Sequence, residues 1–149
     1  MIYNLQPYKQ SDYDFVFNVK KVCYRKYVEE NFGEWDDDIQ YEMFDSFLKT
    51  SAKDIFVICV GDERIGFING SNVDDETYEQ GNICILPEYQ NQGIGTKILK
   101  DIFEQHKNQT IKLRVFKQNP ARSLYERFGF VVCGETKSHF IMKKVQIDS

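Results

Sequence analysis

Between Glu79 and Phe116 the chain reads strand, glycine loop, helix, strand, and this order restricts the fold more than any other feature. Glu79–Leu86 is an apolar run that stops at Pro87. From Gly93 to about His106, Ile94, Ile98, Leu99, Ile102 and Phe103 recur at helical spacing. Ile111–Phe116 then alternates apolar and polar residues. Two strands with a helix between them call for a right-handed parallel crossover rather than a hairpin. The remaining strands lie close enough to pair as hairpins: Ile55–Val60 with Ile65–Asn69 around Gly61-Asp62-Glu63-Arg64, and Phe130–Cys133 with His139–Val145 around a turn near Gly134. A first strand is expected over Ile2–Pro7.

Ser11 and Asp14 resemble a capping box at the start of a helix reaching about Glu30, which Asn31-Phe32-Gly33 breaks. A second helix from Asp36 is expected to bury Ile39, Met43, Phe44, Phe47 and Leu48. Val73–Thr77 reads as an acidic loop. Asn119 caps a short helix with Pro120 at its first position and Gly129 at its end. The fold class is α/β (mixed α+β): a mixed, mostly antiparallel sheet of about seven strands around a central parallel pair, with helices on both faces. No linker, repeat or low-complexity segment interrupts it, so one domain over 1–149 is expected.

Composition excludes several functions. A net charge of −4 without a basic stripe argues against a nucleic-acid partner. Asp36-Asp37-Asp38 and Asp74-Asp75-Glu76 read first as solvated surface, and a cationic small molecule or peptide amine is the ligand they would favour. Four scattered cysteines and two histidines suggest neither a disulfide framework nor a metal site. No signal pattern or long apolar segment is visible, which points to a cytoplasmic protein with no membrane partner.

The glycine loop is the informative motif. A nucleotide P-loop needs Gly-x-x-x-x-Gly-Lys-Ser/Thr, and the spacing here fails; a dinucleotide fingerprint needs a small residue where Ile98 stands. Gln90-Asn-Gln-Gly93-Ile-Gly95 does match Gln/Arg-x-x-Gly-x-Gly/Ala. It follows an Ile83-x-Ile85-x-Pro87 strand end and precedes Asn119-Pro-Ala-Arg-Ser-Leu-Tyr125-Glu-Arg-Phe-Gly129-Phe130. With these three motifs in order over most of its length, the sequence resembles the GCN5-related N-acetyltransferase (GNAT) superfamily. Main-chain N–H groups at a helix start, unobstructed by β-carbons at Gly93 and Gly95, form an anion nest suited to a diphosphate.

The resemblance implies acetyl-CoA as co-substrate and transfer of its acetyl group to a primary amine of a small molecule or peptide, by direct attack in a ternary complex. It implies that Gln90, Asn91, Gln92, Gly93, Ile94, Gly95 and Thr96 line the diphosphate and that Asn119 contacts the coenzyme. The parallel strands would splay past a bulge near Gly81-Asn82, freeing main chain at Cys84 and Ile85 for the pantetheine arm, with the Ile85 N–H polarising the thioester. Tyr125 matches the general acid, also at the coenzyme. Glu79 is a candidate base acting through water; another family position for the base is occupied here by Arg114. Glu29, Glu30 and Glu34 fall where relatives build the acceptor pocket, and Trp35 either covers that pocket as a lid or plugs the core between the helices; Glu29 and Trp35 are the expected substrate-binding residues. Cys84 raises an acetyl-cysteine route, although its apolar neighbours favour an inert thiol, and His139 reads as structural. A catalytically silent acyl-CoA-binding module and transfer of another acyl group are the alternative readings. Pairing of terminal strands between copies would give a homodimer.

Overall fold

A computed structural model describes residues 2–146. In chain order its elements are β1 (Asn4–Pro7), α1 (Tyr13–Phe32), α2 (Asp37–Ser51), β2 (Ile55–Val60), β3 (Glu63–Asp74), β4 (Thr77–Ile85), α3 (Ile94–Gln105), β5 (Thr110–Phe116), α4 (Ala121–Arg127), β6 (Val131–Glu135) and β7 (His139–Lys144). The strands form one seven-stranded sheet in the order β1-β2-β3-β4-β5-β7-β6. β4 and β5 are parallel, as their connecting helix requires. β1–β2, β2–β3, β5–β7 and β6–β7 are antiparallel.

The chain gathers into two compact units. One comprises the described residues up to Asn69 together with Asn82–Gly95; the other comprises Gly70–Gly81 together with the described residues from Thr96 onward. β3 and β4 each pass from one unit to the other, and on β4 the change falls at Gly81/Asn82.

In the first unit, Val16, Phe17 and Val19 of α1, Phe44 of α2, Val57 of β2, Phe67 of β3 and Cys84 of β4 share one core. Each large apolar side chain sealed there contributes about 1.5–3 kcal/mol relative to exposure. Asp36 caps α2 through its side chain, which accepts the Ile39 N–H at 3.1 Å. The rotation of α2 differs from the expected one. Phe44 is buried as expected, but Ile39 and Met43 are more than half exposed and Gln40 turns inward instead. Aromatic contacts set this rotation: Phe17 stacks on Tyr41 with centroids 3.9 Å apart, and Tyr13 meets Phe44 at 5.0 Å. The N-terminal cap also differs. Asp12 accepts the Lys9 N–H at 3.0 Å across a 3-10 turn, two residues before the expected Ser11–Asp14 pair.

In the second unit the β4–β5 register runs from Thr77↔Thr110 to Glu79↔Lys112, whereas β5 pairs with β7 along its length, from Ile111↔Lys144 to Phe116↔His139. Phe103 of α3 packs on Phe128 and Phe130, with centroids 5.2 and 4.9 Å apart. The supposed acidic loop is shorter than expected. β3 continues to Asp74, and the turn to β4 is only Asp75–Glu76, where the Glu76 N–H donates to Asp74 Oδ1 at 2.8 Å.

Candidate active site

The end of β4 is an unusual piece of strand. A Cβ built on Gly66 of β3 would stand 2.0 Å from the Cys84 carbonyl oxygen, so that carbonyl is turned towards β3 and only glycine fits opposite it. The Leu86 N–H donates to Ile65 O of β3 at 2.8 Å. Main-chain groups alternate direction along a strand. Ile85, between these two, therefore directs its main chain away from β3. Its carbonyl there accepts from two side chains, Gln90 Nε2 at 2.7 Å and Cys23 Sγ at 3.4 Å. Of the pair Cys84 and Ile85, it is thus Ile85 whose main chain faces away from the neighbouring hairpin strand.

The Gln90 side chain folds the following loop back onto β4, a role that the motif alone does not reveal. A 3-10 turn over Pro87–Tyr89 precedes it, and Gln92 Nε2 donates to Glu88 O at 3.1 Å. Asn91 and Gly93 have φ of 63° and 81°. This left-handed geometry suits glycine and is tolerated by asparagine. Gln90, Asn91, Gln92 and Gly93 are exposed, and no atom lies within 4 Å of a Cβ built on Gly93. The loop thus offers bare main chain immediately before α3, whose first N–H groups have no intrahelical partner. Gly95 differs: a Cβ there would meet Ile85 Cδ1 at 3.3 Å, so this glycine also serves packing. Ile94 is buried as the first apolar anchor of α3, and Thr96 is exposed.

Cys84 is fully buried and in hydrogen-bonding contact with the Cys23 thiol. Burial, reinforced by that contact, pushes its thiol well above the usual range. A thiol so held is protonated and a poor nucleophile. Trp35, 8% exposed, belongs to the α1–α2 core; its Nε1–H donates to Asp37 Oδ1 at 2.8 Å, and its main-chain N–H donates to Glu29 Oε2 at 3.1 Å. The other Glu29 oxygen meets Arg25 Nε at 3.4 Å. Glu29 and Trp35 thereby hold each other at the α1–α2 connection. Glu30 and Glu34 are exposed.

In the second unit, Tyr125 is the buried residue of α4, 7% exposed, with its ring edge-on to Phe130 at 5.9 Å. Ala121, Leu124 and Phe128 beside it are half-buried. Asn119 Oδ1 accepts the Ala121 N–H at 2.9 Å, which is the expected cap. Glu79 is exposed and lies opposite Lys112 in the register, and Arg114 is exposed on β5. His139 Nδ1 lies 2.7 Å from Ser138 Oγ and its ring packs on Phe116; burial, with Arg114 assisting, lowers its pKa and favours the neutral imidazole. Among the described residues no cluster of His, Cys, Asp and Glu could hold a metal ion, and no helix is long and apolar enough to cross a membrane.

The sequence reading missed a cavity of about 190 Å³ in the first unit, lined by Lys20, Asn82, Met43, Phe44, Phe47, Phe67 and Ile55. One signal for it was present. Lys20 stands in register with Val16, Cys23 and Tyr27 on the inward stripe of α1, where a lysine is out of place.

A parallel β4–β5 pair joined through α3, with an open glycine turn at the start of that helix, is the arrangement expected of a GNAT acetyltransferase fold. Comparison with known proteins agrees. The acetyltransferase (GNAT) domain model matches residues 51–132, more than half of the chain, and the protein belongs to this family. Over 69 residues it is 44% identical to the [ribosomal protein bS18]-alanine N-acetyltransferase of Haemophilus influenzae. That alignment takes in 44% of this chain and 47% of the relative, so the chain spans about half the length of the curated relative it matches. A crystal structure of a Pyrococcus horikoshii protein superposes with a TM-score of 0.74 at 25% identity, over 99% of this chain and 100% of the other. The PaiA N-acetyltransferase of Thermoplasma acidophilum, solved in complex with coenzyme A, superposes with a TM-score of 0.72 at 20% identity, over 97% and 99% of the two chains, a likeness of fold.

Proposed function

We propose that this chain is one acetyl-CoA-dependent N-acetyltransferase domain acting on a primary amine. The observation that carries the reading is the turn Gln90–Gly93, exposed, with two positive-φ residues and empty space before Gly93, leading into the unpaired N–H groups of α3. Such a turn fits a diphosphate held through main-chain donors. The fold likeness to a coenzyme A complex supports the same reading.

The chemistry then divides among named groups. The amine nitrogen, deprotonated, attacks the thioester carbonyl carbon; the C–S bond breaks and the electron pair leaves on sulfur. The Ile85 N–H, on the side of β4 away from β3, is the donor proposed for the carbonyl oxygen. Tyr125 is the acid that protonates the leaving thiolate. For ordinary phenol and thiol values this transfer is uphill by about 2 kcal/mol, small against a catalysed barrier. Glu79, solvent-facing on β4, is the base that removes the amine proton through water. Asn119, whose side-chain oxygen is committed to the cap, keeps its NH2 group for the coenzyme. Glu29 and Trp35 shape the acceptor side by fixing the α1–α2 connection.

The test is release of free thiol from acetyl-CoA against an amine panel, beside calorimetric binding of coenzyme A. Release with at least one amine, reduced in Tyr125→Phe, is the expected result. Tight coenzyme binding with no release from any amine would instead establish a silent acyl-CoA-binding module. Faster release from propionyl- or succinyl-CoA would assign a different acyl group.

A further inference from the structure

Lys20 is a cation in the wrong surroundings. It sits on the inward stripe of α1, partly buried, against Phe44, Phe47 and Phe67. Among the described residues no carboxylate pairs with it and no acceptor takes its hydrogens. Burial pulls its ammonium below the ordinary lysine range; the Cys84 thiol is the one group acting in the other direction. A desolvated ammonium without a counter-charge is costly unless an anion joins it. Asn82 adds a carboxamide to the same cavity. Its main-chain N–H is spent on Asn69 Oδ1 at 3.0 Å, and among the described residues its carboxamide makes no hydrogen bond.

The cavity is also well placed. Lys20 precedes by one helical turn Cys23, whose thiol reaches the Ile85 carbonyl. Asn82 precedes Ile85 by three residues, about 10 Å of strand. Its volume of about 190 Å³ falls below the roughly 300–1,000 Å³ of pockets for drug-sized ligands, which suits a molecule of amino-acid size.

From the unpaired Lys20 ammonium, the adjoining Asn82 carboxamide and the phenylalanine walls, we infer that this cavity takes the acceptor, and that the acceptor is a small amine bearing a carboxylate and an apolar body, in the manner of a free hydrophobic amino acid. The carboxylate seats on Lys20 and Asn82, the apolar body lies against Phe44, Phe47 and Phe67, and the amine is left towards Ile85. Polyamines and aminoglycosides, which the acidic surface would favour, are repelled by the same lysine. This inference rests on the acetyltransferase reading for the word acceptor, but the cavity's preference for an anion does not.

Two measurements separate them. The first is calorimetric binding of 3-phenylpropionate, which has no amine to acetylate, to the wild-type chain and to Lys20→Met. The second is thiol release from acetyl-CoA with L-phenylalanine, phenethylamine and spermidine. The expected results are binding of 3-phenylpropionate that weakens at least tenfold in Lys20→Met, and turnover of L-phenylalanine ahead of both other amines, with the preference lost in that variant. Lys20→Met should melt no lower than wild type, because it exchanges a desolvated charge for a side chain of similar shape. Equal binding of 3-phenylpropionate by both proteins, or spermidine turnover that exceeds that of L-phenylalanine, would overturn the inference. Spermidine turnover unchanged by Lys20→Met would do so while leaving the transferase reading intact. Lys20-dependent binding of 3-phenylpropionate without thiol release from any amine would support the anion-seeking cavity and sink the transferase reading.

Discussion

Replacing Gly93 and Gly33 each by alanine tests the diphosphate loop with an internal control. The two glycines have φ of 81° and 99°, and a Cβ built on either meets no atom within 4 Å. Gly33, with ψ of −169°, sits in the extended positive-φ region that glycine alone occupies readily, so its alanine costs about 1–3 kcal/mol; at Gly93 the positive φ costs about 1–2 kcal/mol, and at both sites about 0.4–1 kcal/mol returns from a stiffer unfolded chain. For Gly93→Ala the net loss of about 1 kcal/mol lowers the melting temperature of a chain this long by about 2–4 °C, and Gly33→Ala should melt at least as low. Coenzyme binding distinguishes them, because only Gly93 stands where main-chain donors are proposed to meet an anion. A methyl group there displaces at least one charge-assisted hydrogen bond, worth about 1.5–3 kcal/mol, which is about a 10- to 100-fold loss of affinity. Gly33→Ala, at the α1–α2 connection, should leave affinity unchanged. Calorimetric titration of both variants with coenzyme A, beside thermal melting, reads the two effects separately. Equal affinities of the two variants for coenzyme A would refute the placement of the diphosphate at Gln90–Thr96.

Tyr125→Phe should lower kcat by about 100-fold with little change in coenzyme affinity, the range usual for a general acid; an unaltered kcat in steady-state assays would remove the tyrosine from that role. Gly66→Ala brings a methyl against the Cys84 carbonyl, which lies 2.0 Å from the ideal Cβ position. The strands must part, at about 1–3 kcal/mol, and chemical denaturation should show that loss with the folded far-UV spectrum retained. Asp37 has its pKa lowered first by its hydrogen bond from Lys21 and then by that from the Trp35 indole. Its contribution is present above the unfolded carboxylate value of about 3.9 and disappears as pH falls through the lower folded value. Asp37→Asn should thus be less stable than wild type near neutrality, with the two stability curves meeting on acidification.

Local chemistry made the element ends legible in advance. Gly33 ends α1 with φ 99°, Asp36 caps α2, Asn119 caps α4 and Gly129 closes it with φ 98°. The crossover from β4 through α3 to β5 was likewise legible, because connection length alone forces parallel strands. What escaped the sequence depended on partners distant in the chain. The strand expected to stop at Asn69 runs on to Asp74, into the stretch Val73–Thr77 that reads as a loop, and a Cβ on Gly70 would lie 2.1 Å from the Tyr78 hydroxyl, so the glycine makes room for a ring on the next strand. The rotation of α2 is decided by Phe17 and Tyr13, which no periodicity within α2 encodes. The motif likewise marks Gln90 as a loop residue without revealing that its side chain secures the Ile85 carbonyl.

The charged residues give the clearest separation between composition and local physics. Net charge and the acidic runs favour a cationic ligand, but Asp36, Asp37 and Asp74 of those runs are occupied within the fold. Asp36 caps α2, Asp37 binds Lys21 at 2.9 Å and the Trp35 indole, and Asp74 closes its own turn. The charges they present to solvent are screened beyond about 8–10 Å at ordinary salt. Lys20 counts for one unit of charge in the composition, yet it lies among phenyl rings, where the same charge interacts several-fold more strongly than it would in water. On the proposal made above, acceptor choice follows the Lys20 ammonium rather than the acidic surface. Raising the salt concentration should weaken any residual attraction of polyamines to the surface while leaving the binding of 3-phenylpropionate nearly unchanged.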